Sequence, residues 1–99
     1  MTSEEKNDPP IKVSACFKCN EIRYRKGFIE VVGGIHDGCI NLETWGIHPD
    51  VDISSIDRPG QTSSDDEITG NTELEMSVET AEALVKALQA AICELRTRS

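Results

Sequence analysis

Between Leu74 and Leu95 the spacing of apolar residues changes period at a single serine, and that change constrains the chain more than any other feature. Leu74, Met76 and Val78 alternate with Glu75 and Ser77, the period of a strand with one face buried. From Ala81 onward the apolar positions are Ala81, Leu84, Val85, Leu88, Ile92 and Leu95, a stripe along one side of a helix. Ser77 stands at the junction as an N-cap, its hydroxyl placed to accept from an orphan N–H of the first turn. Glu79 and Glu82 fall in the first turns and Arg96 and Arg98 at the end, the polarity that the helix dipole favours. Alanines at 81, 83, 87, 90 and 91 raise helix propensity and let the helix lie close to a sheet. The pattern predicts a helix over 78–96.

Everything upstream reads as short strands that need such a stripe to pack against. Ile11, Val13, Ala15 and Phe17 alternate with Lys12, Ser14, Cys16 and Lys18 as a first strand, and 22–24 reads as a short second one. The apolar runs 28–32 and 40–44 form a hairpin, with Gly33, Gly34 and Gly38 in its connection. Val51 and Ile53, interleaved with Asp50 and Asp52, read as a short edge strand whose charges discourage aggregation. The polar, acidic stretch 58–71 contains Pro59-Gly60 and Asp65-Asp66-Glu67 and is expected to be a mobile loop. Pro9-Pro10 closes an expected disordered lead-in over 1–10. Strands first and helix last predict one α+β domain over 11–99. Its expected form is an antiparallel sheet of about four to six short strands with the helix packed across one face. The stretch 73–88 resembles the C-terminal end of small uncharacterised phage and actinobacterial proteins, which implies an accessory protein without a named activity.

Charge narrows the classes of function. The net charge of −8 over 99 residues argues against direct nucleic-acid binding and against attraction to anionic membranes, since both need basic surface. Between Glu43 and Glu82 there are 11 acidic residues and one basic residue, Arg58. The bland reading is a solvated face that keeps a small protein soluble. The sharper one is an acidic surface for a protein partner with a basic surface, with Asp50, Asp52, Asp65, Asp66 and Glu67 as contacts. Trp45 serves there as an anchor or, on the plainer reading, packs against a small cluster. In size and charge the chain resembles small phage inhibitors of host defence, anti-CRISPR proteins among them. That resemblance implies an inhibitor of a nucleic-acid-binding defence complex.

One spacing carries metal chemistry. Cys16 and Cys19 make a C-x2-C, His36 and Cys39 an H-x2-C, and together they read C-x2-C-x16-H-x2-C, within the range of Zn2+ sites. Such a closed site would staple a domain with only four aromatic-ring residues of the Phe, Tyr and Trp types. The alternative is that these cysteines are small buried hydrophobes. A thioredoxin-type pair is a poor fit, because no helix opens at the C-x2-C. Cys93 has no partner by spacing, and His48, before Pro49, reads as a loop residue. No Ser–His–Asp set, P-loop or dinucleotide fingerprint is present, so the expected class is a non-enzymatic binding protein. The absence of any apolar run of about eighteen residues and of an N-terminal hydrophobic segment leads us to expect a cytoplasmic protein, a monomer or a homodimer.

Overall fold

The computed structural model describes residues 14–98. Four strands form one antiparallel meander, β1 (Ala15–Cys19), β2 (Gly27–Gly33), β3 (Ile40–Ile47) and β4 (Ile68–Met76), followed by α1 (Val78–Arg98). The fold class is therefore the α+β arrangement that the patterning predicts. The expected lead-in over 1–10 and the start of the first strand lie outside the described residues.

Antiparallel register sorts the side chains onto two faces, because residues directly opposite one another point the same way. One face carries Ala15, Val31, Leu42 and Leu74 in a row across the sheet, then Phe17, Ile29, Thr44 and Thr72. On this face Phe17 and Leu74 are 55% and 61% exposed, while Ala15, Ile29, Val31 and Leu42 are half-buried. The other face carries Lys18, Phe28, Trp45 and Asn71 in one row and Cys16, Glu30, Glu43 and Glu73 in the next. Its apolar half is the core. Phe28 and Ile47 are buried there together with Ile53, and Cys16, Trp45, Val51, Ile56 and Ile68 pack around them.

Ile53 arrives from the segment 48–67, which contains no strand and only two 3-10 turns, Pro59–Gln61 and Asp65–Glu67. The expected edge strand at Val51 and Ile53 is thus replaced by a loop that folds onto the sheet. Two lysines hold it. The Lys18 ammonium donates to the carbonyls of Ile53 (3.0 Å), Ser54 (3.1 Å) and Ile56 (2.8 Å). The buried Lys26 ammonium donates to the carbonyls of Pro49 (3.0 Å) and Val51. Backbone oxygens that no ladder satisfies thereby gain charged donors. At Gly27 an added Cβ would lie 1.8 Å from the Trp45 carbonyl oxygen, so only glycine lets β2 and β3 approach there.

Two further boundaries differ from expectation. The stretch 22–24 is replaced by a 3-10 turn at Arg23–Arg25, and Ile68 to Asn71, expected in the loop, begin β4. Those residues pair Trp45 with Asn71 and Gly46 with Gly70, with a register shift at Gly46/Ile47. Thr69, Gly70 and Asn71 carry no apolar alternation, so the ladder alone makes them strand.

The larger correction concerns α1. It is not packed across the sheet. None of its residues is buried, and Val78, Leu84, Val85, Leu88, Ile92 and Leu95 are 37–62% exposed. Its substantial neighbour in the sheet is β4, the strand it leaves. The cause is the connection, a single residue, Ser77, between Met76 and Val78. Packed layers sit roughly 10 Å apart, and strand-to-helix connections that climb such a step take about 2–6 residues. The Ser77 hydroxyl accepts from the Thr80 N–H at 3.1 Å and fixes the helix start at once. A radius of gyration of 16.6 Å, against about 13 Å for a compact chain of 100 residues, records the same projection.

The lysine clamp is testable. Lys18→Met keeps the aliphatic stem but removes three charged donors from loop carbonyls. Urea unfolding followed by Trp45 fluorescence is expected to show a loss of about 2 kcal/mol. An unchanged midpoint would mean that the loop is held by its apolar contacts alone.

Candidate acidic interface

The non-apolar half of the covered face is a row of carboxylates on adjacent strands. Glu30 lies directly opposite Glu43, and Glu43 directly opposite Glu73. Opposed side chains on neighbouring strands have Cβ atoms about 4.5–5.5 Å apart, where like charges repel. Each carboxylate is oriented by a neutral donor. The Trp45 Nε1–H donates to Glu30 at 2.9 Å, the Asn71 side-chain amide to Glu43 at 2.9 Å, and the Asn41 amide to Glu73 at 3.4 Å. These donors fix the carboxylates in place without neutralising them.

Glu75 extends the row towards the β2–β3 turn. Its carboxylate accepts from the backbone N–H groups of Ile35 and His36, the latter at 3.1 Å, and pairs with the His36 ring. The hydrogen bond to Glu75 raises the His36 pKa above its ordinary 6.5, and the same bond lowers the Glu75 pKa below 4.5. Gly38, at φ 75°, closes this turn in the left-handed region that glycine tolerates.

A second group of acidic residues lies at the loop end of the sheet. Asp50 pairs with Arg23, and Asp52 accepts from the Ser54 N–H at 2.9 Å, a bond that lowers its pKa. Asp65 and Asp66 are exposed in the second 3-10 turn, and the Glu67 side chain accepts from the Ser63 N–H at 2.9 Å. The two segments are tied together, since the His48 N–H donates to the Glu67 carbonyl at 2.8 Å. Five of the six residues singled out as partner contacts, Asp50, Asp52, Asp65, Asp66 and Glu67, therefore belong to one joined loop region. The sixth, Trp45, is no exposed anchor. It packs on the core and orients Glu30. A shallow groove of about 360 Å³ beside Asp50 and Asp52 also holds Arg23 and Lys26, so its charges are mixed.

The metal spacing does not become a site. Cys16 and Cys19 lie on one uninterrupted strand, Cys16 opposite Glu30 and Cys19 opposite Gly27, so they point to opposite faces. His36 and Cys39 sit in the β2–β3 turn, joined by a Cys39 N–H to His36 carbonyl bond of 3.2 Å. That turn lies beyond Gly33, and at about 3.3 Å per residue the length of β2 puts it roughly 20 Å from the Cys19 end. Cys16, Cys19, His36 and Cys39 therefore do not converge. No group of three or more His, Cys, Asp or Glu side chains able to hold a metal ion occurs among the described residues. Burial, with help from the Glu30 charge, pushes the Cys16 thiol pKa up, the opposite of what a reactive thiolate needs.

The glutamate row was hidden in the sequence. Alternation places Glu43 opposite in facing to Leu42, but only the strand register reveals that Glu30, Glu43 and Glu73 are neighbours. No helix among the described residues is long and apolar enough to cross a membrane. No protein-family model matches the chain, and no significant similarity to a curated protein or a solved structure is found.

The His36–Glu75 pair gives a pH dependence with a definite sign. His36 binds its proton more tightly in the folded chain, so its contribution is complete below 6.5 and fades as pH rises through the higher folded value. Glu75 contributes above 4.5, and that contribution is lost as pH falls through its lower folded value. The turn is therefore best anchored between these two pKa values. An NMR titration should find the His36 ring titrating above 6.5, and Glu75→Gln should bring it back down. A ring that titrates identically in both proteins would remove the pair from the account.

Proposed function

We propose that the chain is a non-enzymatic protein-interaction protein, and that its acidic half-face receives a protein partner with a basic surface. The observation that carries this reading is the row Glu30, Glu43 and Glu73, three carboxylates side by side on adjacent strands with only neutral donors between them. Repulsion within such a row is relieved when lysine or arginine side chains of a partner settle against it. Glu75 on the same face and Asp50, Asp52, Asp65 and Asp66 at the loop end enlarge the field that steers the encounter.

A surface with net charge −8 and fixed carboxylates suits a groove built to bind phosphates. The specific form of the proposal is accordingly an inhibitor that occupies the nucleic-acid groove of its partner, the anti-CRISPR type of action. Its support is charge and geometry.

The test is capture of partners at low salt by the wild-type chain and by a Glu30→Gln/Glu43→Gln/Glu73→Gln variant. The reading expects a nucleic-acid-binding protein to be retained by the wild type and released between about 0.1 M and 1 M salt, as the Debye length falls from about 10 to 3 Å. It also expects nucleic acid to compete with the chain for that protein, and the triple variant to lose it. Retention that survives both the triple substitution and high salt would overturn the proposal.

A further inference from the structure

We infer that α1 is the dimerisation element of this protein, pairing with the α1 of a second copy as a parallel two-stranded coiled coil. This goes beyond the acidic-face reading and rests on different residues.

The first observation is spacing. Val78, Ala81, Val85, Leu88, Ile92 and Leu95 recur at intervals of three and four without a break, which is a heptad seam over the full 21 residues of α1. Position a holds Val78, Val85 and Ile92, all β-branched. Position d holds Ala81, Leu88 and Leu95. β-branched residues at a with leucine at d are the combination that favours two parallel strands over higher oligomers.

The second observation is exposure. Val78, Val85, Leu88, Ile92 and Leu95 are each 47–62% exposed, and Leu84, beside the seam at position g, is 37% exposed. These side chains present on the order of 500 Å² per copy, so a pair would bury about 1,000 Å², the lower bound for a specific interface. The one-residue link at Ser77 keeps α1 from turning back onto its own sheet, and among the described residues none of the same copy buries the stripe. Helices in proteins draw most of their stability from packing an apolar face, which α1 does not find on its own sheet.

Charge agrees with the pairing. The flanking e positions are Glu82, Gln89 and Arg96, and the g positions are Leu84, Ala91 and Arg98. In a parallel pair g faces the following e, which sets Leu84 against the partner's Gln89 and Ala91 against the partner's Arg96. No like charges meet. The remaining charges, Glu79, Lys86 and Glu94, fall at b and c and point outward.

Light scattering on the full chain tests the inference. The wild type is expected at twice 10.9 kDa, and Leu88→Asp at 10.9 kDa with unchanged Trp45 emission, because Leu88 is remote from the core around Phe28. Leu95→Cys should give, on mild oxidation, a disulfide between the two substituted positions, located by peptide mapping. A monomeric wild type, or a dimer that survives Leu88→Asp, would overturn the proposal. A dimer without the 95–95 link would overturn its parallel form. The triple glutamine variant should remain dimeric, so loss of partner capture and loss of the dimer are read separately.

Discussion

The sheet is closed on one side by a segment that has neither strand nor helix of its own, and two ammonium groups make that closure possible. Residues 48–57 bring Ile53 against Phe28 and Ile47, but a loop laid over a sheet exposes carbonyls to an apolar surface. Lys18 and Lys26 remove that difficulty by reaching from β1 and from the start of β2 to five carbonyl oxygens. Lys18, Arg23, Arg25 and Lys26 form a basic cluster in the sequence, and that cluster is therefore partly internal. Two of its four members are spent on the fold, and the outward surface is more acidic than the net charge alone conveys. Arg23 is also engaged, with Asp50.

That arrangement divides the covered face. Where the loop lies, the sheet offers Phe28, Trp45, Ile47 and Ile68. Beyond the loop, the next rows offer Glu30, Glu43 and Glu73, then Asn41 and Glu75. Trp45 sits at the boundary with its ring on the core and its N–H on Glu30. A single side chain thus couples core packing to the orientation of the acidic row. An aromatic ring with one polar handle is suited to such a border.

The fold class and the helix were legible because both follow from local periodicity. Ser77 was recognisable as a cap, and the 28–32 and 40–44 runs as a hairpin, for the same reason. What escaped depends on register or on contacts distant in sequence. Thr69, Gly70 and Asn71 have no strand pattern and become strand by pairing with Trp45 and Gly46. Val51 and Ile53 alternate like an edge strand, yet the lysine clamp makes them a covering loop. The C-x2-C and H-x2-C spacing is real, but one hairpin length separates its halves and a straight β1 turns its cysteines apart. The apolar stripe of α1 was legible as well. Its destination was not, because helices that pack on sheets and helices that pack on helices share most of their pattern, and the one-residue link decides between them.

The two proposals meet at the geometry of that link. In a parallel pair both helices begin at the same end, and each begins one residue after β4, so the two sheets stand together at one end of the coiled coil. Each sheet carries its own row of Glu30, Glu43 and Glu73. A partner with a single basic groove would engage one row, whereas a partner that repeats its basic surface would engage both, and the second contact would form at the high effective concentration set by a stiff connection. Dimerisation through α1 would thereby raise avidity without adding a contact to either row, and salt would act on both rows at once. The helix that contributes nothing to its own core then acts by setting how many acidic faces a partner meets.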